Sequence, residues 1–123
     1  MSPLERATAV CALLGGYRFS YTNEAELQQG IERVLVASGH AFRREKHISR
    51  KNRPDFLLED GVAVEVKIEG SLTAVLRQLS RYAEQESISA IVFVTTRAVQ
   101  AMRIPKEFCA KPVRVVLLAG VLG

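Results

Sequence analysis

Two runs of alternating residues, separated by a short acidic and glycine-containing stretch, dominate the middle of the chain. In 54–58 and 62–68 one set of alternate positions is wholly apolar: Pro54, Phe56, Leu58, Val62, Val64, Val66 and Ile68. The other set holds Asp55, Glu65 and Lys67, with Leu57 and Ala63 beside them. A period of two predicts strands. Glu59-Asp60-Gly61 suits a three-residue hairpin loop, a type I turn closed by a left-handed glycine. That loop sets a register in which Leu58 faces Val62, Phe56 faces Val64 and Asp55 faces Glu65. A two-residue turn at Asp60-Gly61 would instead put Asp55 across from Val66 and scatter the polar set.

The rest of the chain reads as an α/β scheme. Ser2-Pro3-Leu4-Glu5 is a capping box with proline at the first helical position, and Leu4, Ala7, Cys11 and Leu14 share one face before Gly15-Gly16. Tyr17, Phe19 and Tyr21 alternate with Arg18 and Ser20 as in a strand; they pack in a core or interface, or stack on bases. A second helix over 23–38 carries Leu27, Ile31, Val34 and Leu35 on its apolar stripe, with Glu32 on the exposed side. Asn23 as its N-cap makes Glu26 the partner of a capping box, and Glu24 lies close to the stripe. Residues 41–48 read as a strand. Ser71 caps a further helix with Leu72, Val75, Leu76, Leu79 and Ala83 inward, Gln78 and Tyr82 together along the edge, and Arg77 and Arg81 on the outer face, as solvated charges or as contacts to DNA. Residues 90–96 form a nearly unbroken β-branched run, suited to a strand buried on both faces. A short helix over 97–102 and a strand over 113–119 complete a mixed sheet covered by helices on both sides. That last strand is either a sheet edge or a dimer contact.

A chain of 123 residues, 48% of them hydrophobic, is long enough for one domain with a proper core, 1–123, made of an N-terminal helical extension (1–22) and a core (23–119). No apolar run approaches the roughly 20 residues of a membrane span. No basic segment followed by an apolar core opens the chain, so a cytoplasmic protein is expected. Cys11 and Cys109 are distant and lack metal-ligand spacing; free buried thiols are the simplest reading, a disulfide the alternative.

The hairpin's polar set has a specific chemistry. Directly opposed residues have Cβ atoms roughly 5 Å apart, so Asp55 and Glu65 are placed to hold Mg²⁺, a hard cation that takes oxygen ligands. The backbone carbonyl of Val66 is a further candidate ligand. Lys67 lies on the same face, where it orients a water or stabilises developing negative charge. The competing reading is a solvated face on which Lys67 merely bridges two acids. Net charge is +4, and Arg43, Arg44, Lys46, Arg50, Lys51 and Arg53 crowd the stretch that leads into Asp55, against Glu45 alone. Such a patch beside an acid pair suits a phosphate backbone. His47 in the same run is read as incidental.

Pro54-Asp55 followed by Glu65-x-Lys67 after a hydrophobic hairpin resembles the PD-(D/E)xK nuclease superfamily. Gln78-Leu79-Ser80-Arg81-Tyr82 further resembles the Gln-x-x-x-Tyr signature of its RecB-type members. The resemblance spans roughly residues 23–96. By size the chain is nearest to small Holliday-junction resolvases and stand-alone phage nucleases. It implies a restriction-endonuclease-like αβββαβ core and Mg²⁺-dependent cleavage of phosphodiester bonds, with Mn²⁺ as a substitute. It also implies a further acid from the first core helix, Glu24 with Glu26 as fallback. Gln78 would contact substrate or a metal-bound water, and Tyr82 would contact DNA, although both also suit boundary positions packed against the sheet.

The expectation is therefore a nuclease acting on DNA, directed by structure or ends more than by a long sequence, in a bacterial cell or a phage-infected host. A homodimer suits a chain this small, as does membership of a larger replication, recombination or packaging complex. The alternatives are a non-catalytic nucleic-acid-binding module of the same fold and a small protein-interaction domain.

Overall fold

The computed structural model describes residues 1–118 and the backbone of 121–122. In chain order the elements are α1 (Pro3–Gly15), β1 (Ser20–Tyr21), α2 (Glu24–Ala37), β2 (Phe42–Arg44), β3 (Phe56–Leu58), a 3₁₀ turn (Glu59–Gly61), β4 (Val62–Lys67), α3 (Leu72–Ala83), β5 (Ala90–Thr95), α4 (Ala98–Arg103), β6 (Glu107–Phe108), β7 (Lys111–Leu117) and β8 (Val121–Leu122). Six strands form one mixed sheet in the order β2-β3-β4-β5-β7-β6. The β4-β5 and β5-β7 pairs are parallel; the β2-β3, β3-β4 and β6-β7 pairs are antiparallel. Strands β1 and β8 make a separate parallel pair.

The hairpin register follows the loop as the sequence reading requires, with Phe56 opposite Val64 and Leu57 opposite Ala63. Its two faces part accordingly. Phe56, Leu58, Val62, Val64 and Val66 join the core beneath α1 and α2, while Ala63, Tyr82, Ile91 and Phe93 belong to the core beneath α3. Strand β5 is buried along its whole length because both layers of helices cover it. Helix α2 buries the expected stripe of Leu27, Ile31, Val34 and Leu35. Helix α1 carries the expected capping box, but its buried residues are Ala7, Val10 and Leu14, and Leu4 is 42% exposed.

Several boundaries depart from the reading of the sequence. The loop holds Asp60 as well as Gly61 in left-handed conformation (φ 65° and 74°), so the turn is not type I. Arg6 of α1 sets it: Nε donates to Asp60 Oδ2 at 3.0 Å and Nη2 to Glu59 Oε2 at 3.3 Å, a tertiary grip absent from local turn rules. The strand expected over 41–48 stops at Arg44. Glu45 turns left-handed (φ 48°), because β3 begins only at Phe56 and the charged residues that follow have no strand to pair with. The strand expected over 17–21 shrinks to Ser20–Tyr21; Phe19 and Tyr21 are buried as core residues, and Tyr17 is exposed. Strand β7 begins at Lys111, and the unforeseen β6 pairs with its first residues and forms the sheet edge there. The end expected for it at Ala119 lies outside the described residues.

Gly61 is the tightest point of the hairpin. A Cβ there would stand 2.4 Å from the Ser87 carbonyl oxygen, and Gly61's own carbonyl accepts from Ser89 N–H at 2.8 Å. Gly61→Ala combines a left-handed penalty with a backbone clash, and is expected to destabilise the protein by at least about 2 kcal/mol. Urea denaturation compared with wild type measures it.

Candidate active site

Asp55 and Glu65 meet at the end of the sheet where β3 stops and β4 continues. Asp55 immediately precedes β3, so its backbone is no longer in the ladder. Its N–H donates to Glu65 Oε1 at 3.3 Å, and its Oδ2 accepts from Val66 N–H at 2.8 Å. The Val66 N–H thus points to the β3 side. In a strand the C=O of a residue points the same way as its N–H, so the Val66 carbonyl also faces Asp55 rather than β5. Lys67 Nζ lies 3.4 Å from Glu65 Oε2. Glu24, at the start of α2, accepts from Ile68 N–H at 3.2 Å and raises the Asp55 pKa by its charge. The structure thus brings Asp55, Glu65, Lys67 and Glu24 together. Glu26 stands apart: its carboxylate accepts from the Thr22 N–H and hydroxyl, at 2.7 and 2.6 Å, one residue earlier than the Asn23 N–H of the capping box read from sequence.

The solvated-face reading of this hairpin is overturned. Glu65 is 2% exposed because α3 crosses over it. Tyr82 donates its hydroxyl to Glu65 Oε1 at 2.9 Å, and Gln78 Nε2 donates to the Tyr82 oxygen at 3.0 Å. Gln78 and Tyr82 therefore form a chain of donors ending on an acid. Tyr82 is 1% exposed, so direct contact with nucleic acid, the role expected from the sequence, does not fit its place.

Burial and crowding govern the electrostatics. Desolvation is the largest influence on Glu65, followed by the charge of Asp55, and together they push its pKa up to about 7. Asp55 is likewise pushed up, by desolvation first, against the lowering hydrogen bond from Val66 and the charge of Lys67. Burial and the adjacent carboxylates raise Tyr82, which keeps it a neutral donor. Three acids face Lys67 and the nearby charge of Arg44, which is itself paired with Glu32, and the carboxylate donors suit a hard cation. Among the described residues no three Asp, Glu, His or Cys side chains converge closely enough to hold a metal by themselves. A cation here would rest on Asp55, Glu65 and the Val66 carbonyl, completed by water and substrate oxygens, a manner usual for Mg²⁺.

Removing the Tyr82 hydroxyl isolates one consequence of this geometry. Tyr82→Phe takes from Glu65 Oε1 the shorter of its two bonds, leaving only the Asp55 N–H at 3.3 Å, and is expected to destabilise the protein at neutral pH by about 1–3 kcal/mol. Chemical denaturation of the two proteins side by side decides it, and an unchanged midpoint would refute the bond.

The basic run divides into free and engaged residues. Arg44 is half-buried: its Cζ lies 4.4 Å over the Phe56 ring, its Nε donates to the Asp55 carbonyl at 3.1 Å, and its other nitrogens reach Gln28 at 2.7 Å and Glu32 at 3.4 Å. It braces the approach to Asp55, a role the sequence reading missed because Gln28 and Glu32 come from α2. Arg53 pairs with Glu45 at 3.5 Å. Arg43, Lys46, Arg50 and Lys51 are exposed and, among the described residues, make no ion pair. Arg50 and Lys51 stand at the tip of a small hairpin closed by the Ser49–Asn52 bridge, where Asn52 Nδ2 donates to Ser49 Oγ at 2.7 Å.

No protein-family model, no characterised protein and no solved structure matches this chain.

A cleft of about 260 Å³ adjoins the acids, lined by Lys67, Gly70, Ser71, Gln78 and Arg81 among others. The outward position expected for Arg81 is therefore wrong: the residue is half-buried. The signal was present, since Arg81 lies three residues after Gln78 and shares its helical face.

Proposed function

We propose that the protein is a metal-dependent nuclease that hydrolyses phosphodiester bonds in DNA. The observation that carries this reading is the convergence of Asp55, Glu65 and Lys67, with Glu24 beside them, on one buried end of the sheet beneath Tyr82 and Gln78. The order helix, three strands, helix, strand over residues 24–95 agrees with the αβββαβ core that the PD-(D/E)xK resemblance implies.

Asp55, Glu65 and the Val66 carbonyl would hold Mg²⁺ or Mn²⁺. When bound, such an ion neutralises phosphoryl charge and lowers the pKa of a coordinated water. The protein's own residues do the rest. Lys67 supplies a fixed positive charge where negative charge develops on the phosphoryl oxygens. The Tyr82 hydroxyl and the Asp55 N–H hold Glu65 Oε1 in one orientation, and the Val66 N–H does the same for Asp55 Oδ2. Glu24 adds negative charge at the rim. The exposed cations Arg43, Lys46, Arg50 and Lys51 draw the backbone toward Asp55, and each phosphate they neutralise steepens the fall of affinity with salt.

The test is a cleavage panel with Mg²⁺ and then Mn²⁺ on supercoiled plasmid, linear duplex, single strand, four-way junction and RNA. Metal-dependent cutting by wild type, lost in Asp55→Ala, supports the nuclease, and the preferred substrate names its type. Salt-dependent DNA binding without cutting of any substrate would replace it with a non-catalytic binding module.

A further inference from the structure

We propose that the cleft between the β4–α3 turn and α3 is a phosphate-binding subsite in which Arg81 and Lys67 grip a phosphodiester group next to the acid pair. The proposal rests on the nucleic-acid reading above and adds to it the residue and the place that seat the substrate backbone.

Arg81 carries the argument. Its Nε is wholly buried and has no hydrogen-bond partner, and no carboxylate pairs with its guanidinium among the described residues. A buried charged donor without an acceptor is costly, and native structures rarely retain one without a reason. The same residue lines a cleft open to solvent, together with Lys67. That lysine leans on Glu65 through one contact at 3.4 Å, and an ammonium group has three donors. The cleft holds about 260 Å³, room for several waters at about 30 Å³ each or for one phosphate with its hydration. The one carboxylate among its lining residues is Glu69, which is exposed, against the two cations Lys67 and Arg81.

Chemistry selects the ligand. The two Nη groups of an arginine present paired N–H donors that match two oxygens of a phosphate, and a lysine adds a point charge. The loop cations Arg43, Lys46, Arg50 and Lys51 lie ahead of Asp55 in the chain, and the Arg81 cleft lies beyond Lys67.

The experiment follows the arginine Nε–H resonances of metal-free wild-type protein by ¹H–¹⁵N NMR during titration with inorganic phosphate and then with a 5′-phosphorylated dinucleotide. A saturable shift of the Arg81 resonance, with Arg103 unmoved, is the expected result. Arg81 unmoved in both titrations overturns the subsite. In parallel, Arg81→Gln is expected to bind a single-stranded oligonucleotide about tenfold more weakly, with a salt slope reduced by about 0.7. Arg81→Lys should recover the slope but not the full affinity. Unchanged affinity and slope in Arg81→Gln also overturn the proposal, and the NMR titration of wild type is independent of how that variant folds. Phosphate binding at Arg81 in a protein that cuts no nucleic acid would sink the nuclease and spare the subsite. Cutting by Arg81→Gln with unchanged KM, together with no phosphate shift, would do the reverse.

Discussion

Replacing Lys67 with methionine is expected to lower metal-dependent cleavage by about 10²- to 10³-fold, the range found when one preorganised donor to a developing charge is removed. The loss should fall mainly on kcat, with a smaller rise in KM from the share of Lys67 in the Arg81 cleft, because Lys67 faces the acids and the exposed loop cations supply most of the attraction for the backbone. The substitution has a second signature. Lys67 lowers the pKa of both Asp55 and Glu65, so its removal should move the acidic limb of the pH–rate profile to higher pH. Methionine keeps the length of the side chain and its packing, which separates the charge from the fold. Single-turnover rates over a pH series measure both effects. A rise in KM alone, with kcat and the pH profile intact, would reduce Lys67 to a binding residue.

Glu65→Gln is expected to stabilise the metal-free protein above pH 7 while abolishing the proposed metal-dependent cleavage. Glu65 has an ordinary value of 4.5 when unfolded and about 7 in the buried site. Its folded form therefore holds a proton that the unfolded chain releases. The stability associated with it is fully present below about pH 4.5 and is lost as pH rises to about 7. At 1.36 kcal/mol per unit the loss is about 3 kcal/mol, and Asp55, shifted in the same direction, adds to it. Glutamine keeps an oxygen to accept from Tyr82 but has no charge to desolvate, so its stability should vary far less across this window. Urea denaturation from pH 4 to 9 in the presence of a chelator reads the difference directly. Parallel curves for the two proteins would show that Glu65 is not the titrating group. Adding Mg²⁺ at pH 8 should then stabilise wild type and leave the variant unmoved, since an ion that binds only the folded carboxylates shifts the equilibrium by mass action.

Both expectations come from one arrangement, an acid pair placed where burial opposes its charge. Such a site is unfavourable for folding when empty of cations, and the tension between stability and activity is usual for active sites. The Tyr82 and Gln78 donors make the arrangement tolerable by satisfying one oxygen of Glu65.

The hairpin shows how much was legible beforehand. Alternation over 54–68 and a three-residue loop suffice to place Phe56 opposite Val64 and to put Asp55, Glu65 and Lys67 on one face, because a slip of one residue would invert every side chain. The caps at Ser2, Asn23 and Ser71 and the stripe of α2 are equally local, set by contacts three or four residues apart. Strand β5 was recognisable from its β-branched run alone.

What lay over the polar face of the hairpin was not local. Tyr82 reaches Glu65 across 17 residues of sequence, Glu24 reaches Ile68 across 44, and Arg6 reaches Asp60 across 54. No spacing rule covers such distances. They arise when the crossover between parallel strands lays α3 on one side of the sheet, and when α1 and α2 close the other. The same packing turned Arg44 into a brace, Arg81 into a cleft wall and Tyr82 from an expected contact with nucleic acid into a buried donor. The sequence by itself determined which residues share a face, because backbone geometry has short periods. Only the tertiary structure decided which faces meet, and hence which of its charges are buried, paired or free.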